Sequence, residues 1–207
     1  RAASHRVLNA GAPDISKTRV AEAFGRVAGY PFLIDPAQHA GRAVEKSEWN
    51  GKHDGRLVVC PTAPIAGKSY QRFIDSSDGV TAFDYRTTII NRRPRCVLVK
   101  TKPASDRFSI HNATVTYRAL DEVFSCEEID LLRRFAEELQ LDWGAFDVLR
   151  DRASAKIYVV DVNKTDTGPA VDLSLGDREK LKRTIGDGFH ELIAQDASRA
   201  KRAQVVD

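Results

Sequence analysis

The apolar positions along the chain follow two different periods. Between Pro13 and Tyr30, Val20, Phe24 and Val27 recur at helical spacing, behind Asp14 or Ser16 as N-cap and ahead of Gly29 and Pro31 as stops. Short runs of β-branched and aromatic residues follow at YPFLID (30–35), RAVEKS (42–47), RLVVCP (56–61), SYQRFID (69–75), TAFDYRTTII (81–90) and PRCVLVKTK (94–102). Gly, Pro and Asn separate them, and NRRP is the turn before the last. The helical period returns at FSCEEIDLLRRFAEEL, where Ser125 and Glu128 form a capping box, Phe124 and Ile129 a staple, and Ile129, Leu132, Phe135 and Leu139 a stripe. WGAFDVLRD and AKIYVVDVN then read as the arms of a hairpin turning around Ala153, and a last helix from about Asp177 buries Leu181, Ile185, Phe189 and Leu192. Helix, strands, helix, hairpin, helix predicts an α+β fold with mostly antiparallel sheet.

Composition narrows the class without naming it. At 207 residues, 42% hydrophobic and 29% charged, the chain can bury a substantial core. A net charge of +3 with no basic stripe among aromatics argues against nucleic-acid binding, and the basic SRAKRAQ near the end reads as a solvated helix end or tail. Cys60, Cys96 and Cys126 are too few and too scattered for a disulfide framework or a zinc site, and read as free thiols. No apolar run reaches the ~20 residues of a membrane helix, and no signal sequence opens the chain, so a cytoplasmic protein is the expectation. The chain starts at Arg1 and holds no methionine, which leads us to expect a processed form or part of a longer product.

The hairpin carries the chemistry. Ile157, Tyr158, Val159, Val160 and Val162 ask for burial, yet Asp161 and Asn163 stand two apart among them. Pairing the arms about Ser154 sets Asp147 opposite Asp161, and alternation puts Asn163 on the same face. Facing carboxylates destabilise a sheet unless a cation lies between them, and hard oxygens in twos and threes suit Mg²⁺ that also holds phosphates. The plainer reading is that Asp161 and Asn163 cap the strand and start the turn NKTDTGP. An EF-hand is excluded because Asp166 stands where that loop needs glycine, and His53 and His111 lack a second ligand at metal-binding spacing.

The stretch WGAFDVLRDRASAKIYVVDVNKTDTGP resembles the closing hairpin of the ATP-grasp enzymes, among them the D-alanine–D-alanine ligases and the ligases that add glutamate to a ribosomal protein. The resemblance implies ATP and one or two Mg²⁺, with Mn²⁺ as a substitute, and matches the metal carboxylate and Glu-x-Asn of that family to Asp147, Asp161 and Asn163. Asp161 is one methylene shorter than the usual Glu. Upstream, Lys46 in RAVEKS resembles the lysine on the α- and β-phosphates, Lys17 in DISK a second phosphate-contacting lysine, and NGKHDG, with Gly51 and Gly55, a phosphate lid. In YQRFID, Gln71, Arg72, Phe73 and Ile74 take the place of the segment whose backbone reads adenine. FDYR resembles the Asp-x-Arg of the ribosomal-protein ligase branch, at Asp84 and Arg86, and DRFSIHN suggests Arg107 and Asn112 near the triphosphate. Where some members carry an Arg two before the first metal carboxylate this chain has Ala145, and Lys100 or Arg107 is the expected substitute.

The implied fold is ATP-grasp: two α+β subdomains gripping the nucleotide, over residues 14–75 with the lid and 76–195 with the metal hairpin, between a remnant or linker (1–13) and a tail (196–207). The implied reaction activates a carboxylate as an acyl phosphate for an amine or other nucleophile, of the carboxylate-amine or carboxylate-thiol type, with Lys46, Lys100 and Arg107 neutralising charge. ATP and a small-molecule or peptide carboxylate are the expected partners, without nucleic acid or membrane, and with a homo-oligomer or a missing N-terminal domain as the further expectation. A kinase on the same fold, a metal-dependent glycosyltransferase and a degenerate nucleotide-binding module stay open. So do plain structural roles: Lys46 as a strand-edge lysine, Lys17 as a solvated first-turn residue, Asp84 with Arg86 as a surface ion pair, Arg107 and Asn112 as loop structure, and NGKHDG as a turn.

Overall fold

The structure is a computed structural model in which residues 7–49, 51–52, 54–109, 111–166 and 173–203 are described, the last five by backbone alone. Helix α1 (Lys17–Ala28) precedes strands β1 (Gly41–Ser47), β2 (Arg56–Cys60) and β3 (Lys68–Arg72). Strands β4 (Thr81–Ile90), β5 (Arg93–Pro103) and β6 (Thr114–Arg118) follow, then helix α2 (Cys126–Glu138), the hairpin β7 (Trp143–Arg150) and β8 (Ile157–Asn163), and helix α3 (Leu175–Ala203). The strands form two antiparallel sheets, in the orders β2-β1-β3 and β6-β5-β4-β7-β8. The α+β fold with mostly antiparallel sheet is therefore as the pattern predicts.

Local chemistry explains most boundaries. Ser125 and Glu128 close both arms of the capping box on α2. Asn91 and Arg92 both adopt positive φ, 56° and 59°, in the two-residue turn that joins β4 to β5. At α1, Ser16 makes no side-chain cap, and Glu48 instead accepts from Thr18 N at 3.0 Å. YPFLID does not become a full strand: Leu33 forms an isolated bridge to Gln71, flanked by prolines 31 and 36, which have no N–H to give a ladder. Strand β6 lies in a segment from which no strand was read.

The main core lies between helices α1 and α2 and one face of the large sheet. Phe24 of α1 stacks edge-on against Phe135 of α2 at 5.4 Å, and Val97, Phe146, Val148, Val159 and Val162 supply the sheet side. The opposite face is covered over part of its length only. Helix α3 covers one end, packing Leu181 against Cys96, Leu98 and Val115, while Phe189 stacks on Trp143 at 5.7 Å. The uncovered end is the floor of the cleft. Among the described residues no helix is long and apolar enough to cross a membrane.

Candidate active site

One extra residue decides which way the hairpin's polar side chains point. Near its tip the pairing runs Arg150 with Ile157 and Val148 with Val159; beyond a bulge at Val160 it runs Asp147 with Asp161 and Ala145 with Asn163. Pairing about Ser154 thus gives the correct Asp147–Asp161 partnership, but the tip is in a different register and the bulge makes up the difference. Parity changes at that point. Ile157 and Val159 before the bulge and Val162 after it reach the core, whereas Asp161 and Asn163 turn to the cleft. The bulge also leaves Val160 without a cross-strand partner, and Lys46 Nζ donates to its carbonyl at 2.7 Å.

The ends of the hairpin are closed by contacts that no motif signals. Asn9, at φ 60°, donates from Nδ2 to the carbonyls of Trp143 and Lys164 at 2.7 and 2.8 Å, and its Oδ1 accepts from Trp143 N at 2.9 Å. Gly144 passes so close to Asn163 that an added Cβ would lie 2.1 Å from its carbonyl oxygen. Residues 9 and 144 thereby fix where Asn163 stands.

The cleft has two connected halves. One cavity of about 200 Å³ is walled by Val44, Phe73, Ile74, Phe83, Leu149 and Val160, beside the 71–74 segment. The other, of about 390 Å³, gathers Lys17, Lys46, Arg86, Lys100, Asp147, Asp161 and Asn163, with Gly51, Gly55 and Asn112 also on its wall. An apolar slot opening into a ring of charges suits a molecule with one flat apolar end and one anionic end. Lys46, Asp84 and Arg107 border both halves.

Within the charged half, Asp147 and Asp161 each meet a base. Lys17 Nζ contacts Asp161 Oδ1. Arg86 Nη1 donates to Asp147 Oδ1 at 3.2 Å, Lys100 Nζ lies 3.6 Å from the same oxygen, and Asn163 Nδ2 donates to Asp147 Oδ2 at 3.2 Å. Burial alone would raise the Asp147 carboxyl, but Lys100 and Arg86 outweigh it and hold it below its usual value. Lys100 thus stands beside Asp147 where a cation was expected, joined by Arg86. Arg107 does not: its guanidinium lies over the Phe73 ring at 4.9 Å and pairs with Asp75 at 3.1 Å, on the hinge side. Asp84 and Arg86 are not an ion pair with each other, since Arg86 is committed to Asp147 and Asp166. Lys46 is pushed down to about 8 by burial and then by the charge of Lys17, against the pull of Asp161 and Asp147.

Asp84 differs from the rest. Its Oδ1 is buried with no hydrogen-bond partner, and burial, with the charge of Asp147 next, pushes its carboxyl up to about 6. No group of three or more His, Cys, Asp or Glu among the described residues forms a ready-made metal cluster. The predicted set nonetheless fits a divalent cation, because Asp147, Asp161 and Asn163 offer hard oxygens on one face and the buried Asp84 Oδ1 in the same cleft accepts no hydrogen bond.

The lid expected over residues 50–55 has its described part at the mouth of the charged half, while Asn50 and His53 lie outside the described residues. Its base is pinned: Asp54 accepts from Ser47 N at 3.0 Å and from Lys68 Nζ at 2.6 Å, and Lys68 holds its carboxyl far below the usual range. In the hinge, Gln71 turns its side chain to the carbonyl of Lys17 at 3.3 Å, Arg72 is exposed, and Phe73 lies between Arg42 and Arg107. Sequence reasoning missed Lys102, which donates to Ser109 O at 2.7 Å on the cleft wall, and Asp166, which binds Arg86 and Thr88. Their only sequence signals are their charges, which distant pairing alone makes meaningful.

No family model and no curated protein matches the sequence. Solved structures do match in shape. ATP-grasp ligase PsnB complexed with minimal precursor, Mg and ADP superposes with a TM-score of 0.61 over 89% of this chain and 62% of that one, at 18% identity. PsnB complexed with precursor peptide PsnA2 and AMPPNP gives 0.54 over 78% of this chain and 53% of that one, at 17% identity. This chain spans about half to three-fifths of the length of those PsnB chains. With its antiparallel sheets and flanking helices, this chain has the ATP-grasp fold.

Proposed function

We propose that this chain is the nucleotide-binding, catalytic unit of an ATP-dependent ligase, which activates a carboxylate as an acyl phosphate and passes it to an amine or another nucleophile. The observation that carries this reading is the two-part cleft: an apolar slot beside residues 71–74 that opens onto two lysines and three oxygen ligands. The adenine ring suits the slot between Val44 and Leu149, and the phosphates suit Lys46 and Lys17. Asp147, Asp161 and Asn163 would hold Mg²⁺, which supplies charge neutralisation for the phosphates when bound.

The chain's own groups need only bind, orient and neutralise, because phosphoryl transfer asks little covalent chemistry of the protein. Lys46 brings a positive charge to the boundary between slot and charged half, and its hydrogen bond to Val160 aims it there. Lys100 and Arg86 hold the Asp147 carboxylate oriented. The lid expected over residues 50–55 would cover the phosphates and exclude water, and Gly51, Lys52, Asp54 and Gly55 of it line the charged half. A peptide or small-molecule carboxylate is the substrate class we assign, and Mg²⁺-dependent turnover in the cytoplasm the setting.

Hydroxylamine trapping tests the reaction class. Incubated with ATP, Mg²⁺ and a panel of amino acids and short acidic peptides, the protein should release ADP and give a hydroxamate with the accepted carboxylate. ADP release with a phosphorylated product and no hydroxamate would instead mark a kinase, and no ADP release with intact nucleotide binding a non-catalytic module.

A further inference from the structure

Arg86 is held from two sides. Its Nη1 donates to Asp147 Oδ1 and Oδ2 at 3.2 and 3.4 Å, while Nε and Nη2 donate to Asp166 Oδ1 at 3.3 and 3.1 Å. Asp166 is itself fixed, because Thr88 Oγ1 donates to its other oxygen at 3.0 Å, and its side chain is only 6% exposed. One guanidinium carries one positive charge, and two carboxylates share it. Burial works against that charge, but Asp147 and Asp166 together hold the Arg86 pKa above its usual value.

The sharing matters because Asp147 is also claimed by the cation that the cleft fits. A guanidinium fully committed to Asp147 would occupy the carboxylate and repel a divalent ion beside it. We propose that Asp166 is a positioning residue for the metal site: by holding and neutralising Arg86, it keeps the Asp147 carboxylate available to a divalent cation. The inference rests on the Mg²⁺–ATP reading of the cleft. Strand β4 carries both Arg86 and Thr88 on its cleft face, so a single strand presents the guanidinium and anchors the carboxylate that restrains it.

The test is the effect of Mg²⁺ on ADP affinity, measured by calorimetry in Mg²⁺ and in EDTA. In the wild type, Mg²⁺ should tighten ADP binding. Asp166→Asn should cut that enhancement about tenfold while leaving the affinity in EDTA within about twofold. Thr88→Val, which keeps the charge and loosens the anchor, should cut it less. In the double variant Asp166→Asn/Arg86→Gln the competing guanidinium is gone while Lys100 stays in both variants, and most of the enhancement should return, a rescue that a merely structural role would not give.

An unchanged enhancement in folded Asp166→Asn, or a double variant no better than the single one, overturns the inference and leaves the ATP reading standing. Should Asp166→Asn fail to fold, Thr88→Val decides, and an enhancement equal to wild type there overturns the proposal. A wild type that binds ADP in neither buffer brings down the ATP reading and this inference with it.

Discussion

The two sheets that face each other across the cleft are built to different tolerances. The large sheet is sealed on both faces at the end where β4 turns into β5, where Thr87, Thr88, Ile89, Ile90, Cys96 and Val97 have no exposed surface. The small sheet ends in β2, an edge strand whose Leu57 and Val59 stand 43% and 73% exposed, and its loop is tied down mainly through Asp54. Close packing on two sides fixes side-chain positions to a fraction of an ångström, whereas thinly packed elements open at low cost. The division of labour follows. On the proposed reading, the oxygen ligands, which tolerate little misplacement, sit on the large sheet, and the loop proposed to admit and cover a ligand sits on the small one.

Removing the acids strikes the rigid side, and there the largest effect is expected. Asp147→Asn and Asp161→Asn should each lower ATP turnover by about 10²-fold or more, measured as ADP release at saturating Mg²⁺. Their stabilities should separate. Asp161→Asn replaces the charged half of the Lys17–Asp161 contact with a neutral amide and should lower the urea midpoint measurably. Asp147→Asn leaves Arg86 its bond to Asp166 and relieves the repulsion on Asp84, so its loss should be smaller. Relief of like-charge repulsion alone, which the facing carboxylates suggest in the sequence, does not describe this site, because Lys17, Arg86 and Lys100 already stand against them.

Lys46 is the strut between the two sheets, from β1 to the bulge in β8. Lys46→Ala should weaken ADP binding about tenfold by calorimetry, since a point charge on the phosphates is lost. The pH dependence gives a sharper signature. With its pKa lowered from 10.5 to about 8 by burial and Lys17, Lys46 sheds its proton earlier in the folded protein than in the unfolded chain. Between pH 8 and about 10.5 the unfolded state therefore binds more protons, and this group's contribution makes stability rise with pH over that window. Nucleotide affinity should move the other way, falling by about tenfold in all above pH 8 as the charge disappears, and then levelling off. Both slopes should flatten in Lys46→Ala.

The same contrast governs what was legible in the sequence. Elements whose signals are local were readable: the capping box at Ser125, the strands 81–90 and 94–102, and the hairpin that pairs Asp147 with Asp161. Periodicity could not reveal the bulge at Val160, because a parity change inside a run of valines leaves the composition unaltered. Nor could it assign the partners of a charge. Arg107 lies in the segment expected near the triphosphate yet spends its guanidinium on Asp75 and Phe73, while Asp166, dismissed as the wrong residue for a calcium loop, binds Arg86 from 80 positions away. Asn9 was equally silent, since its hydrogen bonds run to residues 143 and 164. Long-range polar pairing is set by three-dimensional register, and a side chain carries no mark of it.

A structure determined with Mg²⁺ and a non-hydrolysable ATP analogue decides whether the cleft between the sheets is a nucleotide site. The base should lie in the slot between Val44 and Leu149, the phosphates at Lys46 and Lys17, and a cation on Asp147, Asp161 and Asn163. A cleft left empty under saturating nucleotide, or an analogue bound elsewhere with the Lys17–Asp161 and Lys46–Val160 contacts undisturbed, would contradict the nucleotide reading.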